Sequence, residues 1–230
     1  MNRLTKKIIA HIPNPLFTAT ELVVLEPSSD NVRYALVKRA LADGDILKIR
    51  RGLYTLSPLY RKTGINPLSV AQLVYGPSYI SLETALSVHG WIPEEVRDIT
   101  SVTLRPPKNF DTPIGHFSYI RIPQKTLYAG VTRSTDDEGQ CWLIASPLKA
   151  LSDYVYCHKL DWTSKDPLID SLRIEENELS EITHADFDEL EKNYSSRRVQ
   201  RFLAGLKKEI LASALRLFGT DWPRMTANRN

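Results

Sequence analysis

Residues 45 to 57, Asp-Ile-Leu-Lys-Ile-Arg-Arg-Gly-Leu-Tyr-Thr-Leu-Ser, constrain the fold of this chain more than any other stretch. Two short runs with alternating apolar positions flank Arg50-Arg51-Gly52. A glycine there admits the left-handed backbone of a tight hairpin turn. The segment therefore predicts two antiparallel strands with a basic tip. Just before it, Ser28, Ser29 and Asp30 open a basic segment of helical spacing that ends at Asp43-Gly44. Helix, turn, then basic hairpin is the order of a winged helix. A helix of this kind fits a major groove about 12 Å wide, and basic residues at a hairpin tip reach phosphates or the minor groove. The candidate DNA contacts are Asn31, Arg33, Tyr34, Lys38 and Arg39 on the helix, with Lys48, Arg50 and Arg51 on the hairpin.

The preceding residues complete a helical trio. Residues 3 to 12 place Leu4, Ile8, Ile9 and Ile12 on one face, and Pro13-Asn14-Pro15 ends the run. Thr18 and Glu21 have the spacing of a capping box, with Phe17 and Leu22 as its hydrophobic staple. On the third helix, Val32, Leu36 and Ala40 share one face at 100° per residue, while Asn31, Tyr34 and Lys38 cluster opposite. Tyr34 is open to two readings, exposed towards a groove or semi-buried beside Val37 and Leu41.

Charge is segregated along the 230 residues. The net charge of +3 conceals a first segment, residues 1 to 62, with eleven Lys or Arg against five acids. That excess of +6 leaves −3 for the remainder, so a polyanion is drawn to one end of the molecule. Hydrophobic residues at 42% and charged residues at 25% are those of an ordinary globular chain, not of a disordered one. No apolar run approaches the roughly 18 residues of a membrane span, and the N-terminus lacks a long apolar signal region, which predicts a cytoplasmic protein away from membranes.

Residues 61 to 66 are polar and contain Gly64, which reads as a linker, and Pro67 suits the first turn of a new helix. A second helix is bracketed by Ser81, Thr84 and Gly90. Residues 99 to 145 change period, with strands over Thr100–Leu104, Phe117–Ile122 and Gln140–Ala145. Ser146-Pro147 then starts a helix through Val155. Residues 161 to 191 hold eleven acids against two bases, and residues 192 to 230 hold nine bases against two acids, two parts able to pair with each other. The basic part carries the stripe Val199, Phe202, Leu203, Leu206, Ile210, Ala214 and Leu217, read as core. The last five residues read as frayed. The fold expected is α+β: an N-terminal winged helix-turn-helix domain over 1–62, a larger α+β domain over 66–160 with a mixed or antiparallel sheet, and a helical C-terminal extension over 161–230 packed on the second domain.

There is no G-x-G-x-x-G, Walker loop, H-E-x-x-H or G-x-S-x-G. The five histidines, at 11, 89, 116, 158 and 184, are scattered, and Cys141 and Cys157 have no metal-binding spacing. The reading is therefore no catalytic residue, no metal and no cofactor. Asp153 stands out as an acid in an otherwise apolar helix, where a hydrogen-bonded packing role is the plainer reading. An enzyme acting on nucleic acid would need Asp153 and two further carboxylates lining one pocket.

Three strings in their present order carry a resemblance: Ile46-Leu-Lys-Ile-Arg-Arg-Gly-Leu-Tyr54, Tyr79-Ile-Ser-Leu-Glu-Thr-Ala-Leu-Ser-Val-His-Gly90 and Ala145-Ser-Pro-Leu-Lys-Ala-Leu-Ser-Asp153. Over about residues 17 to 155 the chain resembles the AbiEi-type antitoxins of bacterial abortive-infection, type IV toxin-antitoxin systems. The resemblance implies a winged-helix repressor of its own operon that binds inverted repeats in promoter double-stranded DNA as a monomer or weak dimer. It also implies a larger domain that counteracts a nucleotidyltransferase-like toxin, with no stable complex required. Asn31 to Arg39 then correspond to the recognition helix and Arg50-Arg51-Gly52 to the wing. The alternative is a winged-helix transcriptional regulator whose second domain senses a ligand or mediates oligomerisation, with no toxin partner.

Overall fold

A computed structural model describes residues 1–218, with side chains through Ile210. The fold is α+β, and packing divides it into two compact units that alternate along the chain. The first holds Met1–Ile80, Val96–Arg121 and Thr132–Ile144. The second holds Ser81–Glu95, Ile122–Val131 and the chain from Ala145. This grouping follows packing, whereas the expected segments follow chain order, and residues 66–160 are shared between the two units.

In the first unit, helix α1 (Arg3–His11) is capped by Asn2, whose side chain accepts from the Thr5 N–H. Strand β1 (Leu16–Thr18) leads into helix α2 (Ala19–Leu25), where the Thr18 and Glu21 capping box forms as its spacing predicts. Helix α3 (Asp30–Ala42) follows, then strands β2 (Ile46–Arg50) and β3 (Leu53–Leu56). The hairpin pairs Arg50 with Leu53 across a two-residue turn, and Gly52 takes φ +79°, a region that L side chains avoid. Strand β1 adds to the far side of β3, giving the order β1-β3-β2. Three residues are too few to show a period, so the sequence did not reveal β1. Leu4, Ile8, Phe17, Leu22, Ala40, Ile46 and Leu56 form the core beneath this sheet and the three helices.

Helix α4 (Pro67–Val74) has proline in its first turn and an Asn66 side-chain cap. Strands β4 (Ser78–Ile80), β5 (Ile99–Thr103), β6 (Lys108–Thr112), β7 (Gly115–Arg121), β8 (Val131–Thr135) and β9 (Cys141–Ala145) form a mixed sheet in the order β6-β7-β5-β4-β9-β8. Pairing is antiparallel for β4 with β5 and β6 with β7, and parallel for β5 with β7 and β4 with β9. Residues 61–66, read as a linker, are tied to this sheet's last turn. The Asn66 N–H donates to Gln140 Oε1 (2.9 Å), the Asn66 amide donates to Asp136 (3.0 Å), and the Gln140 amide donates to the Gly64 carbonyl (3.1 Å).

The second unit is helical: α5 (Leu82–Val88), α6 (Pro147–Cys157), α7 (Asp166–Leu172), α8 (Glu176–Ser180), α9 (His184–Leu190) and α10 (Arg197–Phe218). Helix α6 packs against α5, α9 and α10. From the apolar stripe of α10, Val199, Phe202, Leu203, Leu206 and Ile210 are buried. Ala214, Leu217 and the five C-terminal residues lie outside the residues whose side chains are described. The acidic and basic parts of the tail do pair: Asp161 meets Arg198 and Arg201, and Lys207 meets Asp188 and Glu191. No helix among the described residues is long and apolar enough to cross a membrane.

Candidate nucleic-acid interface

Helix α3 turns an arc of Asn31, Tyr34, Ala35, Lys38, Arg39 and Ala42 outward. Tyr34 is 70% exposed, which decides its orientation between the two readings. Ala35 and Ala42 lie at the middle of the arc, at 40° and 20° from Asn31 by helical rotation. With small side chains there, the helix backbone is free to approach a partner closely. Lys38 and Arg39 have no acidic partner among the described residues.

The structure corrects the expected inward face. Val32, grouped with Leu36 and Ala40, is 47% exposed, and Arg33 turns inward instead. The Arg33 guanidinium donates to the Ser28 carbonyl (2.7 Å) and the Glu26 carbonyl (3.2 Å), and also pairs with Asp30. Its side chain is only 13% exposed. These bonds close the connection from α2 to α3 and set the rotation of α3, so Arg33 is separated from the other helix candidates.

On the hairpin, Lys48, Arg50 and Arg51 are all exposed. Lys48 and Arg51 have no acidic partner among the described residues. Arg50 is held on one side: Nε donates to the Leu73 carbonyl (3.1 Å) and a terminal nitrogen donates to the Arg51 carbonyl (3.2 Å). The hairpin tip is further fixed by the Ala19 N–H, which donates to the Gly52 carbonyl at 2.9 Å.

Two acids that would oppose this surface are withdrawn from it. Glu26, 3% exposed, accepts from Arg3 (2.5 Å) and Lys7 (2.7 Å), and the Lys7 bond leads the causes that hold its carboxyl below the ordinary range. Asp45, also 3% exposed, accepts from Thr5 Oγ1 (2.8 Å) and the Asn2 N–H (3.1 Å). Burial alone would raise its pKa, but these bonds and the N-terminal charge outweigh burial and lower it. Both carboxylates stay ionised, with their charge met locally.

Asp153 belongs to a different arrangement, in the second unit. It is fully buried, accepting from Ser81 Oγ (2.7 Å) and from the Tyr194 hydroxyl (2.6 Å), with the Lys149 ammonium 3.7 Å away. Lys149 is equally buried and donates to Tyr194 (2.8 Å) and to Gln124. Burial lowers the Lys149 pKa and the Asp153 charge opposes that shift. Full burial and two hydrogen bonds give Asp153 the geometry of a packing carboxylate. Sequence reasoning found Asp153 but not its partners. Ser81 occupies the cap position of α5, where a hydroxyl normally bonds its own helix, yet its side chain is turned to Asp153 instead. The i to i+4 spacing of Lys149 and Asp153 on α6 was the available signal.

A scan against models of known protein families finds no match to this chain, and a search of curated proteins finds none.

Proposed function

We propose that this protein is a DNA-binding transcriptional autorepressor and antitoxin of a type IV, AbiE-like toxin-antitoxin system. In this reading residues 1–62 are a winged helix-turn-helix domain. The α3 arc of Asn31, Tyr34, Lys38 and Arg39 enters the major groove, and the hairpin with Lys48, Arg50 and Arg51 is the wing. Arg33 supports the fold of the recognition helix and does not touch bases.

The observation that carries the reading is the α3 arc itself, an exposed helix face with two cations that have no acidic partner among the described residues, two hydrogen-bonding side chains and small residues between them. Such a face suits base edges in the groove, while the hairpin cations suit phosphates. Repression follows because a protein seated on promoter repeats excludes the polymerase. The antitoxic part is placed in the region after residue 66, acting against a nucleotidyltransferase-like toxin without a stable complex. The protein acts in the cytoplasm, carries no cofactor and catalyses no reaction in this reading.

The test is titration of the full chain against a duplex from upstream of its own reading frame, set beside a scrambled duplex at several salt concentrations. Preference for the upstream duplex is expected, with affinity falling as salt rises. Equal affinity for both duplexes would reject specific repression. Growth rescue on co-expression with a nucleotidyltransferase encoded beside it tests the antitoxic half, and failure to rescue leaves a plain regulator.

A further inference from the structure

The cations of the hairpin tip do not end at the hairpin. Within the first unit, Arg50 and Arg51 line an open groove of about 540 Å³ together with Tyr75, Arg105, Lys108 and Phe110. No carboxylate lines it. Two of its four cations, Arg105 and Lys108, belong to the stretch around β6, in the part of the chain whose net charge is negative.

We infer that this groove is a second seat for the phosphate backbone of duplex DNA, extending the contact surface from the hairpin tip to Arg105 and Lys108. The inference rests on the DNA-binding reading above. Its basis is that these cations are held in place and still have donors to offer. The Arg105 guanidinium stacks over the Tyr75 ring at 4.5 Å while one terminal nitrogen donates to the Gly76 carbonyl (2.8 Å). The Lys108 ammonium lies 5.0 Å from the Phe110 ring centre and 6.0 Å from that of Tyr75. Arg50 is anchored to the Leu73 carbonyl at the end of α4.

A guanidinium has five N–H donors, and each of these arginines uses only one or two internally. The remaining donors are available to an anionic guest at little entropic cost, because the aromatic rings and carbonyls have already restricted the side chains. The rings themselves are occupied. Tyr75 is covered by Arg105, meets Tyr119 edge-on and lies tilted against Phe110, so the groove is built to hold charge rather than to stack unpaired bases. Duplex backbone is favoured over a lone anion because four cations from two separate stretches, the hairpin tip and the segment around β6, line one open groove, and a phosphate chain offers each of them a charge.

The experiment measures salt-dependent binding of the full chain to the upstream duplex for the wild type and four variants. These are Arg105→Gln/Lys108→Gln in the groove, the charge-conserving Arg105→Lys/Lys108→Arg, Lys38→Ala/Arg39→Ala on α3, and Lys192→Gln/Arg197→Gln, which removes the same net charge from the second unit. The groove variant is expected to bind roughly tenfold more weakly and to flatten the slope of log K against log salt by about 0.9 for each lost phosphate contact. That change should exceed the one in the second-unit variant, and the charge-conserving variant should keep most of the wild-type slope. A groove variant indistinguishable from wild type, while the α3 variant loses specific binding, overturns the groove and leaves the recognition helix standing. Loss in the groove variant with an unaffected α3 variant supports the groove and removes the recognition helix. A wild type that binds no duplex at all removes both.

Discussion

Two sets of cations divide this molecule, and their difference lies in solvation. In the first unit, Lys38, Arg39, Lys48 and Arg51 sit exposed with no acidic partner among the described residues. In the second, Lys149 is fully buried against Tyr194, Gln124 and Asp153. Taking an ammonium out of water costs several kcal/mol unless partners surround it, so Lys149 is committed to the fold. The exposed cations are not, and their charge is available to a polyanion. Position in the chain says little about which role a lysine takes.

The largest expected effect is at the buried pair. Lys149→Met leaves Asp153 without its cation and should cost about 3–5 kcal/mol of unfolding free energy in urea titrations. Adding Asp153→Leu should recover part of that loss, since no buried charge then remains. A double variant as unstable as the sum of the two singles would mean that the charges are not coupled.

Next in size is a contrast within α3 itself. Arg33→Ala should lower stability by about 1.5–3 kcal/mol, the range for hydrogen bonds from a charged group. Lys38→Ala/Arg39→Ala should leave the melting curve unchanged and weaken binding to the upstream duplex by about 1–3 kcal/mol for each side chain that reads a base. If Arg33→Ala reduced binding with no loss of stability, Arg33 would belong with the proposed DNA contacts rather than with the fold.

Gly52 offers a smaller test at the hairpin tip. A Cβ at Gly52 would meet only the Ala19 side chain, at 3.9 Å, so the φ of +79° sets most of the cost of Gly52→Val, about 1–3 kcal/mol. Gly52→Asn should be milder because asparagine enters this region more readily. Equal stability of both variants would show that the hairpin had changed its turn.

The smallest effect is expected in the acid limb of the stability curve. The Glu26 pKa is lowered in the folded state, so its contribution is fully present above the ordinary glutamate range and is lost as pH falls through the lowered value. Glu26→Gln should flatten that acid-side decline in unfolding experiments between about pH 5 and pH 3. An unchanged pH profile would assign the decline to other carboxylates, Asp45 first.

Several local signals were legible where a residue's neighbours in sequence are also its neighbours in space, although the capping boxes of Glu175 with Glu178 and Thr183 with Asp186 were not read. The Thr18 and Glu21 capping box, the Arg51-Gly52 turn and the proline starts of α4 and α6 all act within four residues, and each stands where the sequence predicts. Strands β6 and β8 were not legible. Both are edge strands with mostly exposed side chains, so neither shows the apolar alternation that marks a strand buried on one face. The inward turn of Arg33 was hidden for a related reason, because its partners include backbone carbonyls, which have no signature in sequence.

The sequence by itself determined the helical trio, the hairpin and its basic tip, because capping, turn and periodicity are short-range physics. Tertiary structure alone decided which cations are buried and which remain exposed. It also decided that Arg105 and Lys108 share a groove with Arg50 and Arg51 across more than fifty residues of chain. Both outcomes depend on which distant segments come into contact, and solvation and charge clustering are properties of that packed surface rather than of any local run of residues.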